Sequence, residues 1–374
     1  MKLPIGWHVG VNGGDPGKMA SPKMSVRRVL HIVPADGVGG VEIAARSMAE
    51  RDDLACEFRL LFLSNKKVNQ PTMRTLVSPG ARPWSLTSIA WALRTIKMFA
   101  PDVLICSLWR SVPLALLAKG LLPQTKLVLF LHADRAVHQI DEALTRVGAL
   151  AADEIWCDSN ATLTHRIPFL KIGTKRRVIS FVIRRGTLMP SSGHLGPRFV
   201  TWCRLTHQKA VDRSIELVRI MRRSHPDVTF EIWGPDGGSL SNLQQQARDL
   251  LVSEQVRFKG IATTDMLPRI AANNCFFLHP SRFEGMAVAV VEAMQMGLVP
   301  VVTPIGQMAT YVRSGENGVV IDPDRLDAAA AEIAGIMADP TIYDRLREGA
   351  RSQWCDAQLY ADDVCAAARV LAAS

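Results

Sequence analysis

The sequence lacks the features that define several common protein classes. Its seven cysteines form no CxxC pair and are odd in number, which argues against both a disulfide framework and a structural zinc site. Aromatic residues make up only 6% of the chain, and no nucleic-acid-binding motif accompanies its basic residues. No apolar run reaches the roughly 18 residues of a membrane span, since the nearest, 286–302, is broken by Glu292, Gly297 and Pro300. A protein of the reducing cytoplasm fits this composition.

The amino-terminal stretch also lacks an apolar run of signal-peptide length. It is rich in Gly and Pro, so we interpret residues 1–24 as a disordered leader or as a mis-set start, with Met24 as the alternative start.

Charge is distributed unevenly along the chain. Residues 1–185 contain 26 Lys and Arg against 14 Asp and Glu, a net charge of +12. Residues 186–374 contain 18 against 21, a net charge of −3. This asymmetry predicts two domains with different partners. A basic first domain fits an anionic substrate or an anionic membrane surface, and a generally solvated basic surface is the alternative.

Short apolar runs alternate with amphipathic ones, a pattern typical of βαβ units and parallel sheets. The stretches 27–35, 57–64, 102–108, 126–133 and 154–159 are predicted strands. The Gly-, Pro- and Ser-rich stretch 186–197 then interrupts the pattern, which restarts with a strand at 198–205. We therefore predict two Rossmann-like parallel α/β domains, 25–185 and 198–354, joined by the linker 186–197. Ligands of such sheets bind at the carboxyl ends of the strands, so the cleft between the domains is the expected site.

The stretch SRFEGMAVAVVEAMQMGLVPVV, residues 281–302, places two glutamates in an otherwise apolar sequence. With a helix beginning near Met286, Glu284 lies in the preceding turn and the backbone N–H groups of residues 285–288 form an anion site. Glu292 lies two turns inside, among mostly apolar neighbours, where its carboxylate could accept hydrogen bonds from a ribose diol. A partly exposed surface glutamate is the alternative.

Two cations follow the first predicted strand of the second domain. Arg204 ends that strand and Lys209 follows five residues later, a pair that could hold a diphosphate. A basic pair in a surface loop, without a ligand, is the alternative interpretation.

The first domain offers weaker signals at the ends of its strands. Gly39 and Gly40 would let a phosphate or sugar approach the backbone closely, and His132 ends a later strand, where a structural histidine is as well explained as a ligand contact. The glycine spacing and the absence of an acidic residue at the second strand end disfavour NAD binding. The acidic pair of the DPD sequence at 322–324 suits a turn better than a metal site.

Together these residues resemble the family-4 retaining glycosyltransferases of the GT-B fold. The resemblance covers roughly residues 27–340 and is strongest after residue 198. It is carried by Arg204 and Lys209, by PSRFEG with two glutamates eight positions apart, and by GENG at 315–318. The sequence departs from the family at Ala287, where a second Gly is frequent, and at Thr310, where a Glu is frequent.

The resemblance implies a GT-B fold and a role for each matching residue. It implies a final segment, 355–374, that crosses back onto the first domain. Glu284 and His132 are the expected catalytic residues at the donor sugar. The expected substrate-binding residues are Gly39, Gly40, Arg204, Lys209, Gly285, Met286, Ala287, Val288 and Glu292.

The implied activity is sugar transfer from a UDP- or GDP-type sugar to an acceptor hydroxyl, with retention and without a metal or other cofactor. A glycan or lipid-linked acceptor of cell-surface polysaccharide synthesis is expected. The expected location is cytoplasmic, including the inner face of the plasma membrane, and no nucleic-acid partner is expected. The alternative is a non-catalytic nucleotide-sugar-binding or scaffold protein of the same fold.

Overall fold

The structure is a computed structural model of the 374-residue chain. It describes residues 27–37, 39–64, 72–80, 82, 84–133, 135–167, 174–189 and 195–374. The predicted leader 1–24 and part of the predicted linker, residues 190–194, lie outside the described residues.

A parallel sheet forms the centre of the amino-terminal domain, as the alternating pattern predicts. Over the described part of the chain its strand order is β3-β2-β1-β4-β5-β6-β7. The strands are β1 (Arg28–Val33), β2 (Glu57–Phe62), β3 (Thr75–Val77), β4 (Val103–Ser107), β5 (Lys126–Leu131), β6 (Glu154–Cys157) and β7 (Arg176–Val178). The order reverses between β1 and β4, so these two strand ends open a crevice at the carboxyl edge of the sheet.

Helices cover both faces of this sheet because its strands are apolar on both sides. They are α1 (Gly40–Glu50), α2 (Leu86–Phe99), α3 (Val112–Leu121), α4 (Gln139–Ala151) and α5 (Asn160–Arg166). One face buries α1, and the other buries α2, α3 and α4. The apolar sequence of residues 111–122 largely forms α3. This helix buries four side chains in the core and exposes two, Leu117 and Leu121; the buried ones are Val112, Leu114, Ala115 and Ala118.

The carboxy-terminal domain repeats this architecture. Its strand order among the described residues is β10-β9-β8-β11-β12-β13. The strands are β8 (Arg198–Trp202), β9 (Thr229–Trp233), β10 (Val256–Gly260), β11 (Phe276–His279), β12 (Val299–Val302) and β13 (Val319–Val320). The helices are α6 (Val211–Met221), α7 (Leu240–Asp249), α8 (Leu267–Ala272), α9 (Val288–Gln295), α10 (Met308–Tyr311), α11 (Leu326–Ala338) and α12 (Pro340–Ser352). The strand order reverses between β8 and β11, the two strands whose ends carry the predicted diphosphate and glutamate motifs.

The last helix, α13 (Tyr360–Ala373), lies on the amino-terminal domain. Its buried side chains, among them Tyr360, Val364 and Leu371, join the core on the α1 face of that sheet. Within the described part of the chain, no helix is both long enough and apolar enough to cross a bilayer.

The structure corrects the interpretation of the cysteines. Cys56 and Cys365 form a disulfide with 5.7 Å between their Cα atoms, linking the start of β2 to α13. The two residues are 309 positions apart, and only the return of the final helix brings them together. Sequence spacing has no means of showing such a pair, because it depends on tertiary packing.

Candidate active site

A cleft of about 1210 Å³ separates the carboxyl edges of the two sheets. Its lining includes every site residue predicted from the sequence, drawn from both domains: Gly39, Gly40, His132, Arg204, Lys209, Glu284, Gly285, Met286, Ala287, Val288 and Glu292. Both strand-order reversals open toward this cleft, which explains why residues far apart in sequence meet there.

Glu284 is the centre of a buried charged cluster. Its Oε1 accepts hydrogen bonds from Lys209 Nζ at 2.5 Å, from Ser281 Oγ at 2.8 Å and from His279 Nε2 at 3.0 Å. Burial by itself would raise the pKa of Glu284, but the charge of Lys209 and the His279 hydrogen bond outweigh it and lower the pKa to about 2. The glutamate is therefore ionised at neutral pH, and it is a poor proton acceptor.

His279 belongs to this cluster although sequence reasoning missed it. It is buried at the end of β11, and burial lowers its pKa, so it stays neutral beside Glu284. Its position directly before the PSRFEG sequence was the available signal, since the last residue of a strand points into the site at the sheet edge.

The helix after Glu284 begins two residues later than predicted. It starts at Val288, and Ala287 adopts the left-handed conformation with φ 55° and ψ 60°. Such a conformation is strained for any residue except glycine, which accounts physically for the glycine that the resembled family often has there. Residues 285–287 thus form a turn, and the carbonyl of Met286 accepts a hydrogen bond from Tyr311 Oη at 2.9 Å.

Residues 285–288 line the cleft, and their backbone N–H groups have no hydrogen-bond partner among the described residues. Unpaired amides at the positive end of a helix such as α9 suit an anion. The predicted anion site is therefore a turn leading into a helix and not the first turn of the helix itself.

Glu292 has protein partners that the sequence did not predict. Arg184 Nη2 donates to its Oε1 at 3.1 Å, and Trp202 Nε1 donates to its Oε2 at 3.2 Å. Arg184 Nη2 also donates to Thr264 Oγ1 at 3.0 Å. These protein partners add to the ribose contact that the sequence predicted for this carboxylate, and that contact stays a prediction. Each carboxylate oxygen can accept a second hydrogen bond, and Glu292 lines the cleft, so a diol remains able to bind.

Arg204 follows β8 and is exposed in the cleft. It has no ion pair within the described residues. A Cβ added to Gly39 would lie 3.5 Å from its Nη2, so the guanidinium stands directly across from the glycine turn of the amino-terminal domain. Gly39 and Arg204 therefore face each other between the two domains, and the Glu42 carboxylate also lies beside Gly39.

The two domains lie close together at Gly285. A Cβ there would lie 2.9 Å from Asp158 Oδ2 and 3.1 Å from the His132 carbonyl oxygen. A side chain would therefore force the walls of the cleft apart, which explains why glycine follows Glu284.

On the opposite wall, His132 follows β5 and packs against Phe130 and Phe181, with ring centroids 4.3 and 5.4 Å away. Burial and the neighbouring His31 lower its pKa well below the usual value, so it is neutral. Within the described residues, no group of three or more His, Cys, Asp or Glu side chains is placed to hold a metal ion.

Residues 196–353 match the protein family described as glycosyl transferases group 1. The match lies almost entirely within the carboxy-terminal domain and covers less than half of the chain. The matched segment contains the Glu284 cluster, Glu292 and Arg204, so the similarity to this family and the cleft geometry concern the same residues.

The chain is similar to curated relatives over a limited stretch of its sequence. It is 30% identical over 151 residues to the glycogen synthase of Mycobacterium tuberculosis, covering 40% of this chain and 36% of that protein. It is 29% identical over 146 residues to the GDP-mannose:cellobiosyl-diphosphopolyprenol alpha-mannosyltransferase of Komagataeibacter xylinus, covering 38% and 37%. The chain thus spans little more than a third of the length of these relatives.

The fold extends the similarity to both domains. The structure of Alr3699/HepE from Anabaena, in complex with UDP and glucose, superposes with a TM-score of 0.71 over 87% of this chain and 94% of that one, at 18% identity. The chain therefore has the GT-B fold that the resemblance implied.

Proposed function

We propose that this protein is a retaining glycosyltransferase that moves a sugar from a nucleotide-diphosphate sugar to an acceptor hydroxyl. The observation that carries the proposal is the cleft itself, where Arg204, Lys209 and the amides of residues 285–288 lie in one wall and Gly39 and Gly40 lie in the other. The UDP complex of the Anabaena protein supports a nucleotide in the equivalent space.

Each group has a distinct task in this proposal. Arg204 and Lys209 bind the diphosphate, and Glu292 accepts hydrogen bonds from the ribose hydroxyls. The amides of residues 285–288 and the start of α9 stabilise the charge that grows on the leaving diphosphate. These donors supply the stabilisation for which other enzymes use a metal ion, so the proposed reaction needs none.

The proposed chemistry retains the anomeric configuration by front-face substitution. Glu284, with a pKa of about 2 and three hydrogen bonds on Oε1, is held as a structural anion and is poorly suited to act as a base. The leaving diphosphate then takes the proton of the acceptor hydroxyl. Closure of the domains over the cleft would exclude water and limit hydrolysis of the donor.

The test is calorimetric titration of the full chain with UDP and with GDP, in the presence of EDTA. Arg204→Ala and Glu292→Ala should each weaken the preferred nucleotide about tenfold to a hundredfold, because each removes a charge-assisted contact. Arg223→Ala, at an exposed arginine of the same domain outside the cleft, is the matched control. Absence of binding by either nucleotide, or equal affinity of all four proteins, would show that the assigned binding roles are wrong.

A non-catalytic nucleotide-sugar-binding protein is the second candidate. It would bind a nucleotide with the same residues but release no nucleotide diphosphate from a sugar donor on addition of acceptor. Product analysis by NMR separates the two candidates and reports the anomeric configuration directly.

We place the acceptor in the amino-terminal domain. A cavity of about 330 Å³ at its strand ends shares Val41, Glu42, Leu108 and His132 with the cleft. Leu108 has φ 64° and ψ 143°, a conformation that costs about 1–3 kcal/mol and clusters at functional sites. The backbone N–H of Ser111 donates to the Leu108 carbonyl at 3.0 Å and so holds this turn.

The surface chemistry of that domain supports a lipid-linked acceptor at an anionic membrane. Residues 58–133 contain ten Lys and Arg and a single acidic residue, Asp102, so their net charge of +9 equals that of the whole chain. The outer sides of α2, α3 and α4 expose Leu86, Met98, Leu117, Leu121, Ile140 and Leu150. The Komagataeibacter relative is named for a diphosphopolyprenol-linked substrate, which is the same class of acceptor.

A flotation assay with vesicles containing anionic lipid, at low and high salt, tests the membrane contact. Leu117→Ser with Leu150→Ser should reduce flotation, and high salt should reduce it further, because apolar and ionic contacts both contribute. Val370→Ser, an exposed position on α13, is the control. Equal recovery of the protein with neutral and anionic vesicles would contradict an electrostatic contribution to membrane binding. Absence of flotation would contradict membrane binding altogether.

A further inference from the structure

Gln307 of the carboxy-terminal domain hydrogen-bonds to the backbone of the amino-terminal domain. It immediately precedes α10, and its side-chain oxygen accepts from the backbone N–H groups of Asn160 at 3.0 Å and Ala161 at 2.9 Å. These are the first two residues of α5, and the next two N–H groups of that helix are bound by Ser159. Gln307 therefore completes the hydrogen bonds at the start of a helix that belongs to the other domain.

The neighbours of the Gln307 amide decide its orientation. The end that faces α5 meets two N–H donors, so it must be the oxygen. The other end is the nitrogen, which donates to Thr310 Oγ1 at 2.9 Å. Thr310 in turn donates its single hydroxyl hydrogen to the backbone carbonyl of Gln307 at 2.8 Å. Both contacts made by Thr310 thus direct the Gln307 oxygen toward α5.

The backbone of the same residue is tied to the turn that carries the proposed anion site. The N–H of Gln307 donates to the Gly285 carbonyl at 3.0 Å. Gly306 packs so closely on this turn that a Cβ there would lie 2.7 Å from the same carbonyl oxygen. Gln307 therefore connects the turn 285–288 in one wall of the cleft to the segment 158–161, which begins in the other wall at Asp158.

A second contact joins the two domains beside this one. The Arg135 guanidinium of the amino-terminal domain lies over the ring of Phe283, 5.4 Å from its centroid, and Phe283 directly precedes Glu284. A cation over a ring tolerates sliding, whereas hydrogen bonds are directional. The two Gln307 bonds are therefore better suited than the Arg135 contact to fix the spacing of the walls.

We propose that Gln307 is a positioning residue that fixes the 285–288 turn against the amino-terminal domain and so sets the closed width of the cleft. Gln307 lies outside the cleft lining, so it acts through Gly285 and not on a ligand. When the domains separate, its two bonds to α5 break, while its bond to Gly285 stays within the carboxy-terminal domain. The consequence for sugar transfer rests on the proposed function, whereas the bridge between the domains does not.

Amide hydrogen exchange of the full chain, read at single residues, tests the bridge. Gln307→Met keeps the length of the side chain but removes the acceptor. The N–H groups of Asn160 and Ala161 should then exchange about three- to tenfold faster, as expected when each loses one neutral hydrogen bond. Gln307→Glu keeps an acceptor and should preserve the slow exchange. Equal exchange in the parent protein and in Gln307→Met would overturn the proposal.

Small-angle X-ray scattering tests whether the bridge sets the cleft width. Gln307→Met should increase the radius of gyration of the full chain. Gln353→Met, at an exposed glutamine outside the cleft lining, is the matched control and should leave the radius unchanged. Faster amide exchange without a larger radius would show that the bond does not hold the domains together, and it would also overturn the proposal.

Kinetics with a sugar donor separate a positioning role from a loss of stability. A wider cleft admits water, so Gln307→Met should raise the ratio of donor hydrolysis to sugar transfer about threefold or more, with kcat lowered and KM for the donor little changed. Thr310→Val should shift the ratio in the same direction but less, because Gln307 remains. An unchanged ratio in Gln307→Met would overturn the positioning role. If exchange and scattering behave as expected but the parent protein binds neither UDP nor GDP, the proposed function fails while the bridge stands.

Discussion

The two domains share an architecture but hold the predicted site residues of the cleft in different ways. In the carboxy-terminal wall these residues are ion-paired: Lys209 pairs with Glu284, and Glu292 pairs with Arg184, which lies just before the linker. In the amino-terminal wall the predicted residues are uncharged, namely Gly39, Gly40 and the neutral His132, although Glu42 and Asp158 also line that wall. The comparison teaches that the predicted charged residues of the site lie on the wall that is proposed to bind the diphosphate.

The largest expected effect is a loss of folding stability when the Lys209–Glu284 pair of the carboxy-terminal wall is broken. Lys209→Met should lower the free energy of unfolding by about 3–5 kcal/mol, because it leaves the buried Glu284 carboxylate without its cation. Urea unfolding at pH 7 measures the change. Adding Glu284→Gln should recover part of the loss, since a neutral amide needs no cation.

Lys97→Met, at an exposed position of α2, is the matched control for the loss of a lysine. If Lys209→Met unfolds like this control, Glu284 is not dependent on Lys209, and the contrast between the two walls is weaker than the structure indicates.

A second test concerns the two side chains that donate hydrogen bonds to Glu292. Arg184→Met removes the donor at 3.1 Å and should weaken nucleotide binding about tenfold, while Trp202→Phe should have a smaller effect because its donor is neutral. Calorimetry measures both. Stronger binding by Arg184→Met would mean instead that Arg184 competes with the ribose for the carboxylate.

The pH dependence of stability should separate the two walls. The pKa of His31 is lowered from 6.5 to about 3, so the unfolded chain binds a proton that the folded chain does not over this range. Stability from His31 is complete above pH 6.5 and is lost as pH falls toward 3. Glu284, lowered from 4.5 to about 2, loses its contribution only below pH 4.5.

His31→Gln should therefore reduce the slope of stability against pH between 6.5 and 4.5, and Glu284→Gln should reduce it only at lower pH. Some slope should remain in His31→Gln, because burial also lowers the pKa of His132 and of His279. Unfolding midpoints measured at half-unit pH steps test this, and an unchanged slope in His31→Gln would show that this ring is protonated in the folded state.

The smallest expected effect is at Ala287. Ala287→Gly should stabilise the protein by up to about 1 kcal/mol, because glycine adopts φ 55° without the strain that alanine experiences. Ala289→Gly, inside α9, should destabilise it by about the same amount. If both substitutions destabilise equally, residue 287 is not left-handed in solution.

Much of the fold and the cleft lining could be predicted from the sequence. Apolar strands alternating with amphipathic helices specify parallel α/β domains, and the spacing of Arg204, Lys209, Glu284 and Glu292 indicated one site. The exact start of α9 could not be predicted, since it depends on a left-handed residue that is not a glycine. Short edge strands such as β3 and β7 were missed because three-residue segments carry too little periodicity.

The partners of the predicted residues depended on tertiary structure. Glu284 and Glu292 were identified from sequence, but His279, Arg184 and Trp202 were not, because nothing in local spacing says which side chains face a given carboxylate. The same holds for the Cys56–Cys365 pair and for the contact between Gln307 and α5.

The sequence by itself determined the periodicity, the uneven charge and the family motifs, because these depend on residue order alone. Only the tertiary structure decided which buried groups neutralise one another and which side chains line the cleft. Those properties depend on contacts between strands and helices that are distant in sequence, where burial sets both the pKa values and the cost of an unpaired donor.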